Sequence, residues 1–473
     1  MATISELLEA LPADEELVQE APSQTEVLNS LSQRPVPLGA LRRLWSLGGL
    51  HARVGLAYMA YWMRSYFKNA DDRDRDRMET HLRSAVKILN TMGYLRGAVM
   101  KIGQLAANLP EIVPDEFVTT LSRLHFEAPA MHYSLLREHV HDELGGDPEE
   151  IFAEFETEAF AAASLGQVHR ARLKTGQPVA VKIQYPGIAR TIRSDFRNLS
   201  AVLLPLRFSR DWENLKSQFE ELRSVMETET DYEREAEMLR RVRRLFNEDE
   251  GIVVPRVYDE YSTRRVLTME YLDGQTMHEF NDSNPAQELR NHYGGLIFRS
   301  YCRILFKERM LFADPHPGNV LFLDDGRLGL IDFGCMREWN DEEWDYMRGA
   351  DEALVDFSDE AIITHIRRGV DLTEEQLSNA ELMRLMVDYC RWIWEPLVTN
   401  DNFDNGDGSY IRRGVDIAMA FAKIARPAQK PLNVFIQRSF FAGWGLHHKL
   451  KSCFNGKRIL DEEVRVLDWP HRK

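Results

Sequence analysis

Short apolar runs separated by turn residues mark the middle of this chain. Val320-Leu321-Phe322-Leu323 is followed by Asp324-Asp325-Gly326 and then by Leu328-Gly329-Leu330-Ile331. Two apolar runs around an Asp-Gly turn predict a β-hairpin. Val179-Ala180-Val181-Lys182 reads as a short strand ending in a lysine. Val266-Leu267-Thr268-Met269-Glu270-Tyr271-Leu272 reads as another, running into Asp273-Gly274. Helical spacing governs longer stretches. Leu95, Val99, Ile102, Leu105 and Leu109 recur on one face. A charged helical stretch runs from about 212 to 246, and amphipathic spacing predicts helices over 341–370, 377–394 and 410–424.

The hairpin matters because of the acids at its ends. Asp314 lies five residues before Asn319, and Asp332 lies thirteen residues after it, in Ile331-Asp332-Phe333-Gly334. The hairpin brings Asn319 and Asp332 to the same end of one ladder. That is the spacing of a kinase-type phosphoryl-transfer centre. Asp314 can accept a hydroxyl proton, while Asn319 and Asp332 can hold Mg²⁺ against a triphosphate. The competing reading is a structural hairpin with exposed turn acids.

The rest of an ATP site follows in order upstream. Lys182 would reach the α- and β-phosphates and needs a carboxylate to orient it; Glu235, in the charged helical stretch, is the candidate. Main-chain groups of Glu270 and Leu272 would face the adenine edge. The phosphate loop departs from the usual Gly-x-Gly-x-x-Gly-x-Val. The aligned residues are Ala161, Ala162, Ala163, Ser164, Leu165, Gly166, Gln167 and Val168. Gly166 and Val168 keep the pattern, and alanines replace the first two glycines. Alanine resists positive φ by roughly 1–2 kcal/mol per residue, so the loop should be stiffer than its glycine counterpart.

Four segments together resemble the UbiB protein-kinase-like family, also called AarF or Coq8-like atypical kinases. They are the alanine-rich loop, Lys101-Ile102-Gly103-Gln104, Glu229-Thr230-Asp231 and Asp314-Pro315-His316-Pro317-Gly318-Asn319. The resemblance spans residues 92–357. It implies an α+β, two-lobed kinase-like fold with a helical N-terminal extension and a mostly helical C-lobe. The corresponding division is an acidic segment 1–34, a helical extension 35–150, an N-lobe 151–273 and a C-lobe 274–473. From the residues alone, Lys101 is a solvated helix residue. The resemblance instead turns Lys101 and Gln104 toward the nucleotide pocket, and adds Glu229 and Asp231 to the metal-binding acids.

Two marks of protein kinases are missing. Ala313 stands where many kinases have Arg before the catalytic Asp, and no Ala-Pro-Glu follows Asp332-Phe333-Gly334. ATP hydrolysis or phosphorylation of a small molecule is therefore favoured over peptide phosphorylation. The resemblance suggests service to prenyl-quinone or isoprenoid lipid metabolism, with ATP, ADP and Mg²⁺ bound and a lipid or quinone precursor as ligand. A phosphotransferase of the aminoglycoside or choline kinase sort, and a nucleotide-binding scaffold, stay open as alternatives.

Composition sets outer bounds. The chain has 473 residues and a net charge of −16, which argues against nucleic acid as a partner. Cys302, Cys335, Cys390 and Cys453 show no paired metal spacing and read as free thiols. The acidic first twenty residues fit no secretory signal, so a cytoplasmic location is expected. Residues 41–68 combine Trp45, Tyr58, Tyr61, Trp62 and Phe67 with arginines. They suit either a membrane surface or packing on the kinase core.

Overall fold

The computed structural model describes residues 133–163, 165–203, 216, 220, 223, 224, 226–312, 315–422, 428, 429 and 431–472. The expectations for residues 1–34, for 41–68 and for the helix carrying Lys101 and Gln104 fall outside these residues. In chain order the elements begin with α1 (Tyr133–Leu144), α2 (Pro148–Ile151), β1 (Glu154–Phe155), β2 (Ala161–Ala163), β3 (Gly166–Arg172) and β4 (Pro178–Gln184). There follow α3 (Ile188–Leu203), α4 (Tyr232–Arg243), β5 (Ile252–Val253), β6 (Val266–Glu270), α5 (Met277–Asp282), α6 (Gln287–Glu308), β7 (Met310–Phe312), β8 (Val320–Phe322), β9 (Leu328–Leu330) and β10 (Met336–Glu338). The rest is α7 (Asp341–Asp356), α8 (Asp359–Gly369), β11 (Val370–Asp371), α9 (Glu374–Ser378), α10 (Ala380–Val398), β12 (Phe403–Asp404), α11 (Gly408–Ala422), β13 (Ala428–Gln429), α12 (Pro431–Leu450), β14 (Cys453–Phe454) and α13 (Gly456–Val464). This is the expected α+β class.

Two units divide the chain. One holds 132–163, 167–186 and 205–473; the other holds 1–131, 164–166 and 187–204, of which α3 is the main described part. The first unit carries the hairpin, helix α4 and every helix from α5 to α13.

Its sheet has the order β1-β3-β4-β6, with β2 paired to β3. Six consecutive residues of β4, from Val179 to Gln184, are buried. Both faces of that strand are therefore covered, and Lys182 is carried inward with its apolar neighbours. Helix α4 explains the cover on one side. Tyr232, Ala236, Leu239 and Val242 recur at helical spacing and are all buried. Asp231 caps its first turn by accepting the Arg234 N–H at 3.3 Å.

The expected hairpin is present. β8 and β9 pair antiparallel with Val320 opposite Leu330 and Phe322 opposite Leu328. Gly326 takes φ 85°, which the turn needs and a Cβ would resist. A second pairing was not expected: β7 and β10 run antiparallel, Phe312 opposite Met336.

Helix α6 separates two apolar cores. Tyr293, Ile297 and Ile304 face the first core, with α4, the hairpin and β6. Cys302, Leu305 and Phe306 face the second, with Leu354, Ile362, Ile366, Trp394 and Val464. Three helices expected as continuous runs are refined. The 341–370 run breaks into α7 and α8 at Phe357, which takes φ 55°, and Ser358 caps the second helix. The 377–394 run begins later, with Asn379 as its cap. The 212–246 stretch is interrupted by a turn at Glu229 and Thr230 before α4 starts.

Pro396 sits inside α10, where it removes the N–H that would bond Trp392 O. Tyr410 supplies the replacement. Its hydroxyl donates to Trp392 O at 3.1 Å, and Trp392 Nε1 donates to Tyr410 O at 2.9 Å. The exchange pins α11 to α10.

Candidate functional site

Three elements bring three charged side chains together. Lys182 comes from β4, Glu235 from α4 and Asp332 from the end of the hairpin. Lys182 Nζ donates to both Glu235 oxygens, at 2.8 and 2.9 Å, and to Asp332 Oδ2 at 3.4 Å. Lys182 and Glu235 are almost fully buried, whereas the Asp332 side chain is 35 % exposed. So the pair forms the floor of a site and Asp332 its open edge. The Tyr232 ring lies 5.1 Å from the ammonium and adds a π face to the floor.

Electrostatics follow from this geometry. Burial works against the Lys182 charge, but the Asp332 and Glu235 carboxylates outweigh it and raise the ammonium well above the ordinary lysine value. Lys182 is a fixed cation. Burial likewise raises the Glu235 carboxyl, against the pull of Lys182 and with the push of Asp332. A buried lysine held between two acids is preorganised to meet phosphate oxygens at the exposed edge.

The turn after β9 is shaped by its own backbone. Gly334 N–H donates to Asp332 Oδ1 at 3.0 Å, and Ile331 N–H donates to Asn319 O at 3.0 Å. Asn319 and Asp332 thus sit at the same end of one ladder, as the hairpin reading expects. His316 holds the short turn leading to Asn319 by accepting the Gly318 N–H on Nδ1 at 3.0 Å. Asp314 and Ala313 lie outside the described residues, bracketed by Phe312 and Pro315. The β7–β10 pairing ties the start of that segment to the strand leaving Asp332.

The remaining expected site residues fall at several places. Ala161, Ala162 and Ala163 form β2, and none takes a positive φ. Gly166 opens β3, and Val168 packs against the first core. Ser164, Lys101 and Gln104 lie outside the described residues. Glu270 ends β6; its N–H donates to Arg256 O at 2.8 Å, so that amide is engaged by the loop between β5 and β6. Leu272 packs over Gly329, where an added Cβ would come within 3.1 Å of Leu272 Cδ1. Asp231 pairs with Arg264 at 3.1 Å besides capping α4. Glu229 is buried and accepts a hydrogen bond from the Cys335 thiol.

Two contacts escaped the sequence reading. One is that Cys335–Glu229 bond. The other is Arg234, whose Nη2 donates to Met336 O at 2.7 Å and fastens α4 to β10. Their partners are 106 and 102 residues apart, so no local spacing could signal them.

The donor set can be tested for Mg²⁺. No group of three His, Cys, Asp or Glu side chains gathers among the described residues. A site of one carboxylate and one amide oxygen, at Asp332 and Asn319, fits Mg²⁺ bound chiefly through a nucleotide's phosphates, the usual mode of that ion in kinases.

Known proteins resemble this chain in sequence and in fold. The family model of the ABC1 atypical kinase-like domain matches residues 123–366. The zebrafish (Danio rerio) protein named atypical kinase COQ8B, mitochondrial, is 33 % identical over 323 residues, covering 67 % of this chain and 51 % of the relative. Its rat (Rattus norvegicus) counterpart is 30 % identical over 387 residues, 80 % of this chain and 72 % of the relative. A chloroplastic Arabidopsis thaliana protein named activity of BC1 complex kinase 8 is 38 % identical over 248 residues, 50 % of this chain and 32 % of the relative. This chain thus spans about half of the zebrafish relative and a third of the plant one. A solved structure of the Mycobacterium tuberculosis protein Rv3197, in complex with erythromycin, superimposes with a TM-score of 0.58 at 24 % identity, covering 83 % of this chain and 98 % of that one. It shares the fold.

Proposed function

The chain belongs to the ABC1 atypical kinase-like family, and on that premise we propose that it binds Mg-ATP and uses it as an ATPase or small-molecule kinase. The observation that carries the reading is the buried Lys182–Glu235 pair with Asp332 at its open edge. Lys182 would neutralise the α- and β-phosphates, and Glu235 would hold it in place. Asn319 and Asp332 would hold Mg²⁺, which supplies charge neutralisation on the phosphates. Asp314 would take the proton of an attacking hydroxyl or water. Lys101 and Gln104 would face the same pocket and narrow it against a peptide. Leu272 and the Glu270 carbonyl would meet the adenine edge. The alanine loop from Ala161 to Ser164 would lie over the phosphates. Glu229 and Asp231 would complete the acidic lining.

The further reading is service to prenyl-quinone or isoprenoid lipid metabolism, at a peripheral membrane contact. It rests on the four motifs. Among the described residues no helix is long and apolar enough to cross a membrane.

The test uses the purified full chain. Phosphate release from ATP is measured with and without Mg²⁺, anionic liposomes and phenolic quinone precursors. Transfer of label to a generic protein is measured beside it. The expected result is Mg²⁺-dependent turnover, raised by liposomes or precursor, with no peptide labelling. Absence of any Mg-ATP-induced thermal shift would sink the nucleotide reading. Labelling of peptides at the usual kinase rate of about 1–100 s⁻¹ would sink the narrower one.

A further inference from the structure

Helix α11 is apolar on two sides. One side is covered. Tyr410 stacks on Trp392 of α10 with ring centroids 5.2 Å apart, Phe421 meets Tyr389 at 5.8 Å, and a Cβ on Gly414 would run into the Trp392 ring. The other side is open. Ile411, Val415 and Met419 follow one another at i, i+4 and i+8 and are 39, 50 and 54 % exposed. Such positions lie roughly 40° apart around a helix, so the three form one ridge about 12 Å long. The helix beneath is built otherwise: from its second residue on, α10 exposes only Glu381, Arg384, Asp388 and Arg391. A surface helix normally keeps its outer face polar in this way. On α12, Phe441 is a further exposed apolar side chain, 5.8 Å from the Trp392 ring.

Charge says what meets the ridge. Residues 401–458 carry ten Lys or Arg and four Asp, in a chain whose net charge is −16. Arg412 is exposed beside the ridge, and Asp416 is the one acid of the helix. A Cβ on Gly406, two residues before α11, would come within 3.3 Å of Lys451 Cβ, which sets that exposed lysine near the start of the helix. Apolar side chains flanked by cations match a surface that is hydrocarbon beneath and anionic on top. A protein partner fits less well. Stable protein interfaces bury ~800 Å² on each side, far more than four side chains on a convex ridge supply. With fifteen residues and two arginines, α11 is built to lie on such a surface and not to cross it.

We propose that the outer face of α11, with Arg412 at its flank, seats the protein on an anionic lipid bilayer. The proposal rests on the peripheral membrane contact of the proposed function and places that contact beyond residues 123–366, the part matched by the family model.

The probes are vesicles of phosphatidylcholine alone and of phosphatidylcholine with about 30 mol % phosphatidylserine, floated with the full chain in the absence of nucleotide. The parent is expected to partition onto the anionic vesicles roughly tenfold better than onto the neutral ones, and less so as salt rises. Val415→Gln combined with Met419→Gln is expected to melt as the parent does and to lower that partition roughly tenfold; Val415→Gln alone serves in its place should the pair not fold. Arg412→Gln is expected to lower it roughly fivefold on anionic vesicles and to leave the neutral ones unchanged. All these variants keep the parent's ATP turnover without vesicles, because none of the three residues belongs to the nucleotide site. A parent that floats with no vesicle overturns the proposal and the membrane contact together. A parent that floats while the folded ridge variant floats equally well overturns this placement alone and leaves the membrane contact to another surface, such as 41–68. A parent that is dimeric by light scattering, with a ridge variant that is monomeric, also overturns it, because the ridge then faces a second copy of the chain.

Discussion

The two cores flanking α6 use buried charge in opposite ways. On the hairpin side, Lys182 meets two acids, and one of them, Asp332, stays partly open to solvent. On the helical side, Arg303 is closed in by Glu463, with contacts at 2.8 and 2.9 Å, and Arg299 donates to the same carboxylate at 2.9 Å. The first cluster leaves acid capacity at an accessible edge, where cations and phosphates can enter. The second meets its buried carboxylate, Glu463, with two arginines, joining α6 to α13 across 160 residues of chain. A buried charge cluster is thus a clamp where arginines bond its carboxylate from several sides and a candidate site where a single lysine meets an acid at the open edge.

The sharpest way to break this comparison is Asp332→Asn. On the hairpin side the substitution is expected to lower Mg-dependent ATP turnover roughly 10²–10³-fold, the scale for losing one preorganised electrostatic partner. Thermal stability should not fall, because the variant relieves repulsion between Asp332 and Glu235 while Lys182 keeps its closer partner. Turnover assays and melting curves on the same preparation check both halves. A variant that still shows the full Mg-ATP thermal shift would remove Asp332 from the metal site.

Glu463→Ala should do the reverse. It leaves Arg303 buried and short of its main carboxylate, which costs about 3–5 kcal/mol. Denaturant unfolding measures it. The affinity for nucleotide in the surviving folded fraction should equal the parent's. A loss below about 1 kcal/mol would mean that Glu250, the second acid on Arg303, suffices alone.

How much of this was legible in the chain differs between the two sides for a physical reason. Hairpin, lysine strand and the Lys182–Glu235 pair were readable, because phosphoryl-transfer chemistry fixes residue types at short spacings. The Arg303–Glu463 clamp was not, because a pair 160 residues apart leaves no local pattern. The break at Phe357 was missed because a bulky residue rarely takes φ 55°. The β7–β10 ladder was missed because its strands are far apart in the chain and share no turn of the kind that marks β8 and β9 as a pair. Asp314, Ser164, Lys101 and Gln104 rest on sequence alone.

A third test separates the sides by pH. Burial lowers His365 to about 4 and His447 to about 3, both on the helical side. A depressed histidine stays neutral in the folded protein while the unfolded chain takes up the proton. Its contribution is therefore fully present above about pH 6.5 and drains away as pH falls toward 4. For His365 alone the loss by pH 4 is about 3 kcal/mol. The stability of the parent relative to His365→Gln should drop by that amount between pH 7 and 4. A difference that stays constant with pH would show that His365 is solvated.

Ala163→Gly should cost only a little stability, and it tests whether the hairpin side is tuned for function at all. Ala163 is the last residue of β2, buried, and no alanine of that strand uses left-handed φ. The fold therefore asks nothing of this position that alanine cannot give. Glycine adds unfolded-state freedom and removes a methyl, for a cost of about 0.5–1 kcal/mol. Its functional consequence is larger in kind. By alignment the position matches the second glycine of a phosphate loop, where backbone comes nearest the nucleotide, and glycine would let that backbone turn toward the phosphates. Because ATP and ADP differ only in the terminal phosphate, a loop that closes differently should change their affinity ratio. Titration of both nucleotides against parent and variant, with an autophosphorylation assay alongside, reads this directly. A changed ratio, or phosphate transfer to the chain itself, would place the alanine strand over the phosphates. Identical affinities and no transfer would make Ala163 a packing residue of the sheet, and the contrast between an open functional cluster and a closed structural one would then rest on Lys182, Glu235 and Asp332 alone.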